Sequence, residues 1–179
     1  APITFAGDFE IEVEFSTTTT GTYGIIIGSS TSQDDFLTLG NTGKLRVQFG
    51  ALALNGTILI NDGKLHKCKA ARISGVISIF VDGVLDGSYS NAATPTFNTL
   101  GRWDLTSYLF DGIIANAKFT DQSGASDVVT TFKLDNSPAA ANYTYSTELL
   151  DNNTFTDNAN ARQYLVATKG WIITDGGAA

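Results

Sequence analysis

The feature that most constrains the fold of this chain is an alternation of apolar and polar residues with a period of two. Residues 8–15 read DFEIEVEF, in which three glutamates alternate with Phe9, Ile11, Val13 and Phe15. Successive side chains of a β-strand point to opposite faces, so this pattern predicts a strand with one buried face and one wet face.

Further runs of this kind recur along the chain and are separated by short clusters of Gly, Asn, Asp and Ser, such as GNTG, NDGK and DGV. Such clusters are typical of hairpin turns. The sequence predicts strands near 8–16, 23–28, 35–39, 44–49, 57–60, 66–73, 76–82, 84–90, 97–101, 108–120 and 129–134. Strands with short links pair antiparallel, and we therefore predict an all-β, antiparallel jelly-roll sandwich.

The sequence changes in texture after about residue 134 and becomes richer in Asn, Ala and Thr. Residues 157–169 predict the one clear helix, because polar capping residues precede them and a glycine follows. Residues 171–173 are predicted as a short strand or a packed tail. We expect one sandwich domain over 1–134 and a small helix-containing appendage over 135–179, packed on or beside it. The chain is compatible with being a piece of a longer protein.

Composition excludes several classes of partner. The chain is 42% hydrophobic and 16% charged, as expected of a folded domain. Its net charge is −7 and its 11 basic residues are dispersed, whereas phosphate binding needs clusters of Lys and Arg. No apolar run approaches the ~20 residues that a membrane-spanning helix requires. We therefore expect neither nucleic acid nor a membrane as a partner.

The chain offers little machinery for metal or nucleophilic chemistry. Cys68 is the only cysteine and His66 the only histidine, so neither a disulfide nor a multi-histidine metal site can form within the chain. We expect Cys68 to be a small buried hydrophobe, with a nucleophile paired to His66 as the alternative. Residues 28–35, GSSTSQDD, are predicted as a hairpin loop, with a calcium site as the alternative. No cofactor or resident metal is expected.

Residues 62–87, DGKLHKCKAARISGVISIFVDGVLDG, carry a family resemblance. They resemble the concanavalin A-like, laminin G-like sandwich family through Asp62, Gly63, Leu65, His66, Arg72, Phe80, Val81, Asp82 and Gly83. The opening FAGDFEIEVEF is similar to the family's first strand, and its final segment is matched by Gly101, Phe110, Asp111, Gly112 and Ile113. This resemblance covers about residues 5–121. It implies the same sandwich and a structural role for His66, and it is nearly silent about function.

A second resemblance lies near the C-terminus, where residues 161–177 read ARQYLVATKGWIITDGG. The segment is similar to a short terminal element of bacteriophage tail-fibre proteins through Ala161, Tyr164, Leu165, Lys169, Gly170, Trp171, Ile173, Thr174, Asp175 and Gly176. That resemblance implies an extracellular location on a virion, contacts with other virion proteins and, by association, a homotrimer.

The glutamates of the first strand raise the question of catalysis. EIEVE resembles the Glu-Ile-Asp-x-Glu strand of the β-glucanase branch of the sandwich family, and residues i and i+2 of a strand share a face about 6.5–7 Å apart. That separation is compatible with a pair of glycosidase carboxyls. However, the middle residue is Glu12 and not Asp, the strand is N-terminal, and no aromatic cluster flanks it. We therefore expect Glu10, Glu12 and Glu14 to form a solvated face, and the chain not to be an enzyme.

The best sequence candidate for binding is the segment GRWDLTSY, which combines flat aromatic rings with charged side chains. Saccharides bind to such a combination, with CH faces on the rings and hydroxyls on fixed polar groups. The predicted ligand-binding residues are Arg102, Trp103, Asp104 and Tyr108, with Asp34 and Asp35 of the 28–35 loop as further contributors. Burial of Trp103 over one end of the core is the alternative.

These observations lead to three hypotheses about function. The first is a non-catalytic surface-recognition module, carbohydrate-binding-like and lectin-like, of a phage virion or tail-fibre protein that takes part in host attachment through a cell-surface glycan. The second is a structural virion domain with contacts to protein only. The third is a glycoside hydrolase that uses the Glu10, Glu12 and Glu14 strand.

Overall fold

The computed structural model describes residues 2–32, 34–102 and 108–133, together with the backbone of three short strands further along the chain. All regular structure in these residues is β. The strands are β1 (Ile3–Thr4), β2 (Phe9–Ser16), β3 (Gly24–Gly28), β4 (Asp35–Leu39), β5 (Lys44–Phe49), β6 (Leu52–Leu59), β7 (His66–Ile73), β8 (Val76–Val81), β9 (Val84–Ser90), β10 (Thr96–Phe97), β11 (Thr99–Leu100), β12 (Ile113–Asp121), β13 (Val128–Lys133), β14 (Tyr143–Thr144), β15 (Thr154–Phe155) and β16 (Ile172–Ile173).

Two six-stranded sheets pack face to face. The first sheet has the strand order β16-β11-β3-β4-β5-β6, and the second has the order β13-β12-β2-β7-β8-β9. Strand pairs in both sheets are antiparallel except β11 with β16, which run parallel. Strands β1 and β10 form a small separate ladder, as do β14 and β15. No helix in the described part of the chain is long and apolar enough to cross a membrane.

The core lies between the two sheets and follows from the alternation in β2. Phe9, Ile11, Val13 and Phe15 are each at most 1% exposed, whereas the glutamates between them are partly exposed. The ring of Phe9 meets that of Phe49 from the other sheet edge-on, with centroids 5.7 Å apart. Each large apolar side chain buried in this way contributes about 1.5–3 kcal/mol. The predicted all-β, antiparallel sandwich is confirmed.

Most predicted strands lie where the structure has them, and β4, β5, β7 and β9 begin and end at the predicted residues. Three predictions were wrong in extent. The strand predicted at 57–60 is β6, which begins earlier, at Leu52. The sequence pattern did not reveal its first residues, because they are mostly exposed at a sheet edge and show no alternation. The strand predicted at 97–101 is divided at Asn98 into β10 and β11, which pair with β1 and β3 respectively.

The strand predicted at 108–120 was also wrong in extent, since β12 begins at Ile113. Residues 108–112 form an irregular segment that is anchored by Phe110 and not by strand pairing. Phe110 is 2% exposed and meets the ring of Phe15 edge-on at 5.5 Å. An alternating pattern cannot distinguish an aromatic side chain that anchors a loop in the core from one that lies on a strand.

The C-terminal predictions have different outcomes. The short strand predicted at 171–173 is present as β16, which adds to the first sheet beside β11. The helix predicted at 157–169 lies outside the described residues. The domain boundary near residue 134 stays a prediction.

His66 links two turns at one end of the second sheet. Its Nδ1 lies 2.8 Å from Asp82 Oδ2 and its Nε2 lies 3.0 Å from Asp62 Oδ1. Burial acts to lower the pKa of His66, but the hydrogen bonds and negative charges of Asp82 and Asp62 outweigh it and raise that pKa. His66 is 9% exposed, which agrees with the structural role that the family resemblance implies.

Candidate ligand-binding groove

A groove of about 330 Å³ lies on the outer face of β3, β4 and β5, the face turned away from the core. We call this surface the groove face. Along β5, Leu45, Val47 and Phe49 enter the core, and the residues between them therefore face outward. The groove is lined by Tyr23, Ile25, Asp34, Phe36, Thr38, Arg46, Gln48 and Tyr108.

The floor of the groove is formed by side chains that are buried although they lie outside the core. Ile25, Phe36 and Thr38 are 2%, 7% and 0% exposed, respectively. The hydroxyl of Thr38 lies 2.8 Å from the Gly24 carbonyl oxygen and 3.0 Å from that of Leu39, so it is satisfied by backbone. The floor is therefore mostly apolar and rigid.

Two tyrosines form an aromatic rim. The rings of Tyr23 and Tyr108 meet edge-on with their centroids 6.5 Å apart, and Tyr108 is 48% exposed. The backbone carbonyl of Tyr108 accepts a hydrogen bond of 3.0 Å from the Ile25 N–H, which fixes the irregular segment against β3. Tyr108 has φ of +54°, a strained value for a bulky residue. Such strain is concentrated at functional sites.

A chain of polar side chains crosses the groove. Arg46 donates from Nη2 to the side-chain oxygen of Gln48 at 3.0 Å and from Nη1 to the Tyr23 hydroxyl at 3.4 Å. Gln48 in turn donates from Nε2 to Asp34 Oδ1 at 2.9 Å. The guanidinium of Arg46 also lies 5.6 Å from the ring centroid of Tyr23 and 5.7 Å from that of Phe36, within cation–π range of both. These contacts hold the polar groups in fixed orientations.

The structure brings together two of the residues predicted from sequence, Asp34 and Tyr108, although they lie far apart in the chain. Asp35 is directed elsewhere: it is 7% exposed and its carboxylate accepts hydrogen bonds from the backbone N–H groups of Gly50 and Thr96. Arg102 is half-buried and does not line the groove. Trp103 and Asp104 lie outside the described residues. A ligand role for all six predicted residues stays a prediction.

Sequence reasoning missed Tyr23, Phe36, Arg46 and Gln48. A signal for part of this set was present, because Arg46 and Gln48 occupy the alternate positions of β5 whose neighbours are strongly apolar. That pattern places the two side chains together on the outer face. It does not show that β3 and β4 lie beside them, or that Tyr108 closes over the same surface.

The 28–35 loop satisfies its own oxygens. The Ser29 hydroxyl accepts hydrogen bonds from the backbone N–H groups of Thr31 and Ser32, at 3.4 and 3.2 Å. Ser32 accepts one from the N–H of Asp34 at 3.3 Å. Within the described residues no group of three or more His, Cys, Asp and Glu side chains could hold a metal ion. The segment joins the antiparallel strands β3 and β4, which confirms the predicted hairpin, and the calcium alternative stays a hypothesis.

The glutamates of β2 lie on the outer face of the second sheet, which we call the charged face. Lys67 Nζ lies 2.8 Å from Glu12 Oε2, and Lys69 Nζ lies 3.5 Å from Glu10 Oε1. Burial acts to raise the pKa of Glu12, but the hydrogen bond and charge of Lys67 outweigh it and lower that pKa. A lowered pKa is the opposite of what a general acid requires. The face is as predicted, with the correction that two of its acids are paired with lysines.

A smaller hollow of about 270 Å³ lies on the charged face and is lined by Glu12, Lys67, Lys69, Phe80 and Gly83. The Phe80 ring is covered by the ammonium group of Lys69, 4.9 Å from its centroid. Cys68 lies on the opposite side of β7 and is 0% exposed, and its burial strongly raises the pKa of its thiol. The predicted burial of Cys68 is confirmed, and a raised pKa does not suit a nucleophile.

Comparison with known proteins identifies a fold but no family. No protein-family model matches the chain, and no curated protein matches it significantly. Among solved structures, the chain is similar to a candidate carbohydrate-binding protein from Bacteroides ovatus, with a TM-score of 0.61 and 13% identity, over 79% of this chain and 50% of that one. The chain thus spans half the length of that protein. At this identity the similarity establishes a shared β-sandwich fold.

Two further structures are more distant. Domain 4 of an extracellular arabinanase from Geobacillus stearothermophilus, in complex with arabinotriose, has a TM-score of 0.44 and 16% identity, over 64% of this chain and 61% of that one. Domains LG4-5 of the mouse laminin alpha1 chain have a TM-score of 0.44 and 12% identity, over 83% of this chain and 65% of that one.

Proposed function

We propose that this chain is a non-catalytic carbohydrate-binding module whose ligand lies in the groove on the groove face. The observation that carries the proposal is the groove itself, in which two tyrosine rings and a chain of oriented polar side chains border one open cavity. A saccharide presents flat CH faces and a rim of hydroxyls, and it needs both kinds of partner.

Each part of the groove suits one part of a sugar. The half-exposed ring of Tyr108 offers a face for stacking. Arg46 can donate to ring or hydroxyl oxygens, and Asp34 can accept from hydroxyl groups. The volume of about 330 Å³ lies at the small end of the range for ligand pockets, ~300–1,000 Å³. It suits one or two sugar rings and not a long buried chain.

The fold supports this proposal at a coarser level. The structural neighbour from Bacteroides ovatus is described as a candidate carbohydrate-binding protein. A shared fold alone does not transfer a function, so the groove, and not the fold, carries the proposal of carbohydrate binding.

A glycan array followed by isothermal titration with the best ligand tests the proposal. Removing the Tyr108 ring by Tyr108→Ala is expected to weaken binding about tenfold or more, since aromatic anchors dominate such contacts. Leu65→Ala is the matched control, because Leu65 is 57% exposed and does not line the groove. Equal affinity of both variants, or silence of the whole array with folded protein, would contradict the proposal.

The non-catalytic part of the proposal has its own test. The glycans that bind should be recovered intact after long incubation with the protein. Hydrolysis that is lost in Glu10→Gln or Glu14→Gln would instead favour the glycoside hydrolase hypothesis.

The biological setting that we propose is a phage virion or tail fibre, where the module would contribute to host attachment outside the cell. The support for it is the sequence resemblance of residues 161–177 to tail-fibre proteins, together with the sandwich fold. Excess soluble module should then compete with the virion that carries it for adsorption to host cells. Adsorption that is unchanged when the module saturates its glycan would contradict this setting.

A purely structural role with contacts to protein only is the second candidate. Exposed apolar side chains on two of the edge strands, β6 and β9, favour it, namely Leu52, Leu59, Val84 and Leu85. Exposed apolar groups at sheet edges are typical of surfaces that meet another chain. Under this hypothesis every glycan would remain unbound, and Leu59→Lys would disrupt assembly of the virion or of a homotrimer.

A further inference from the structure

We infer that the glycan bound in this groove carries an acidic group, a carboxylate or a sulfate ester, that pairs with Arg46. The inference rests on the proposed function and names the chemical class of its ligand. It starts from Arg46, a half-buried cation that lines the groove.

Arg46 lacks the carboxylate partner that three lysines of the described surface have. Lys64 lies 2.7 Å from Asp62, and Lys67 and Lys69 pair with acids of β2. Arg46 is half-buried, but it is not among the ion-paired cations of the described residues. A cation withdrawn from water without a counter-ion is costly. An oxyanion supplied by a ligand would remove that cost.

The guanidinium has donors available and is held ready to use them. Among the described residues each terminal nitrogen of Arg46 makes a single hydrogen bond, to Tyr23 or to Gln48, which leaves one N–H on each. The Nε atom is buried and has no hydrogen-bond partner among the described residues. The rings of Tyr23 and Phe36 restrict the plane of the guanidinium. A planar donor fork held in place is suited to an oxyanion.

The wider charge distribution limits how acidic the ligand can be. The chain has a net charge of −7, and Asp34 lies at the rim of the same groove. The net negative charge and the Asp34 carboxylate both repel a polyanion. A single acidic group that contacts Arg46 is attracted at short range, where this repulsion is weaker than the contact. The groove therefore suits a single acidic sugar, at the end of a glycan or on a branch, and disfavours a densely sulfated chain.

The experiment compares short oligosaccharides that differ only in the acidic group. The probes are trisaccharides capped by glucuronate, galacturonate or N-acetylneuraminate, each with its carboxyl-reduced form, and one capped by galactose 6-sulfate with its unsulfated form. Binding to the unaltered protein is measured by isothermal titration. We expect at least one acidic probe to bind on the order of 10- to 100-fold more tightly than its neutral form, as for a charge-assisted hydrogen bond.

Variants assign that preference to Arg46. Arg46→Gln should abolish the difference between acidic and neutral probes, and Arg46→Lys should retain part of it. Lys64→Gln removes one exposed positive charge away from the groove and should leave the preference unchanged. Thermal unfolding of each variant confirms that it is folded.

The outcomes separate this inference from the proposed function. Preference for a carboxylate or for a sulfate probe supports the inference and identifies the source of the oxyanion. Equal binding of acidic and neutral forms overturns the inference and leaves the carbohydrate-binding function in place. A preference that persists in Arg46→Gln overturns the role of Arg46. Absence of binding to these probes and to every glycan of the array overturns the proposed function itself.

Discussion

The outer faces of the two sheets contrast in how they treat charge. On the charged face, Glu10 and Glu12 lie beside lysines of β7, and a further lysine on β12 stands opposite Glu12. On the groove face, Arg46 lies between two aromatic rings with no carboxylate within salt-bridge distance in the described residues. On the groove face only β5 shows the alternation of β2, since every residue of β3 and β4 is buried.

This contrast shows which kind of charged surface indicates function. Exposed ion pairs contribute little to stability, typically 0–1 kcal/mol, and their charges are satisfied within the sheet. The half-buried guanidinium of Arg46 is different, because its partners among the described residues are two aromatic rings and two neutral polar groups. The three glutamates first drew attention to β2 as a catalytic candidate, whereas the groove lies on the outer face of the other sheet.

The largest expected difference between the faces is in aromatic packing. Phe36→Ala should lower the free energy of unfolding by about 3 kcal/mol, because its ring is 7% exposed and forms the groove floor. Phe80→Ala on the charged face is the matched variant, since its ring also lies beside a cation but is half-buried. Phe80→Ala should lower the free energy of unfolding by about 1 kcal/mol. Urea denaturation measures both, and equal losses would contradict the contrast.

A smaller effect is expected from a buried hydroxyl of the groove floor. Thr38→Val should cost about 1–2 kcal/mol, because the Thr38 hydroxyl hydrogen bonds to backbone carbonyl oxygen and is fully buried. Thr131→Val on β13 is the control, since Thr131 is partly exposed in a strand position that favours valine. Urea denaturation measures the free energy of unfolding of both variants. An unchanged value for Thr38→Val would contradict the stabilising role of the Thr38 hydroxyl in the groove floor.

The smallest effect is expected from the ion pair of the charged face. Glu12→Gln should cost at most about 1 kcal/mol at neutral pH, since Lys67 is half-exposed. The pKa of Glu12 is lowered from 4.5 by folding, so its contribution is present above that value and is lost as pH falls through the lower folded pKa. The difference between variant and parent should therefore shrink towards pH 3. If the difference in free energy of unfolding between Glu12→Gln and the parent protein grows as the pH falls, the stabilising ion pair of Glu12 with Lys67 is contradicted.

The fold could be predicted largely from sequence, and the site only in part. Alternation placed β2, β4, β5 and β7 because each strand has its own local signal, independent of its neighbours. The groove has no such signal. Tyr108 was identified as an aromatic beside polar residues, but its partner Tyr23 was missed because it is distant in sequence and no pattern connects the two.

The sequence by itself determined which side chains of β2 and β5 are buried, since the period of two in β-structure is a local property of the backbone. It also determined that Glu10, Glu12 and Glu14 share one face. Only the tertiary structure decided that β3, β4 and β5 are neighbours and that the segment after residue 107 folds back over them. Strand order and loop packing depend on contacts between distant residues, and it is those contacts that place Arg46 beside the rings of Tyr23 and Phe36.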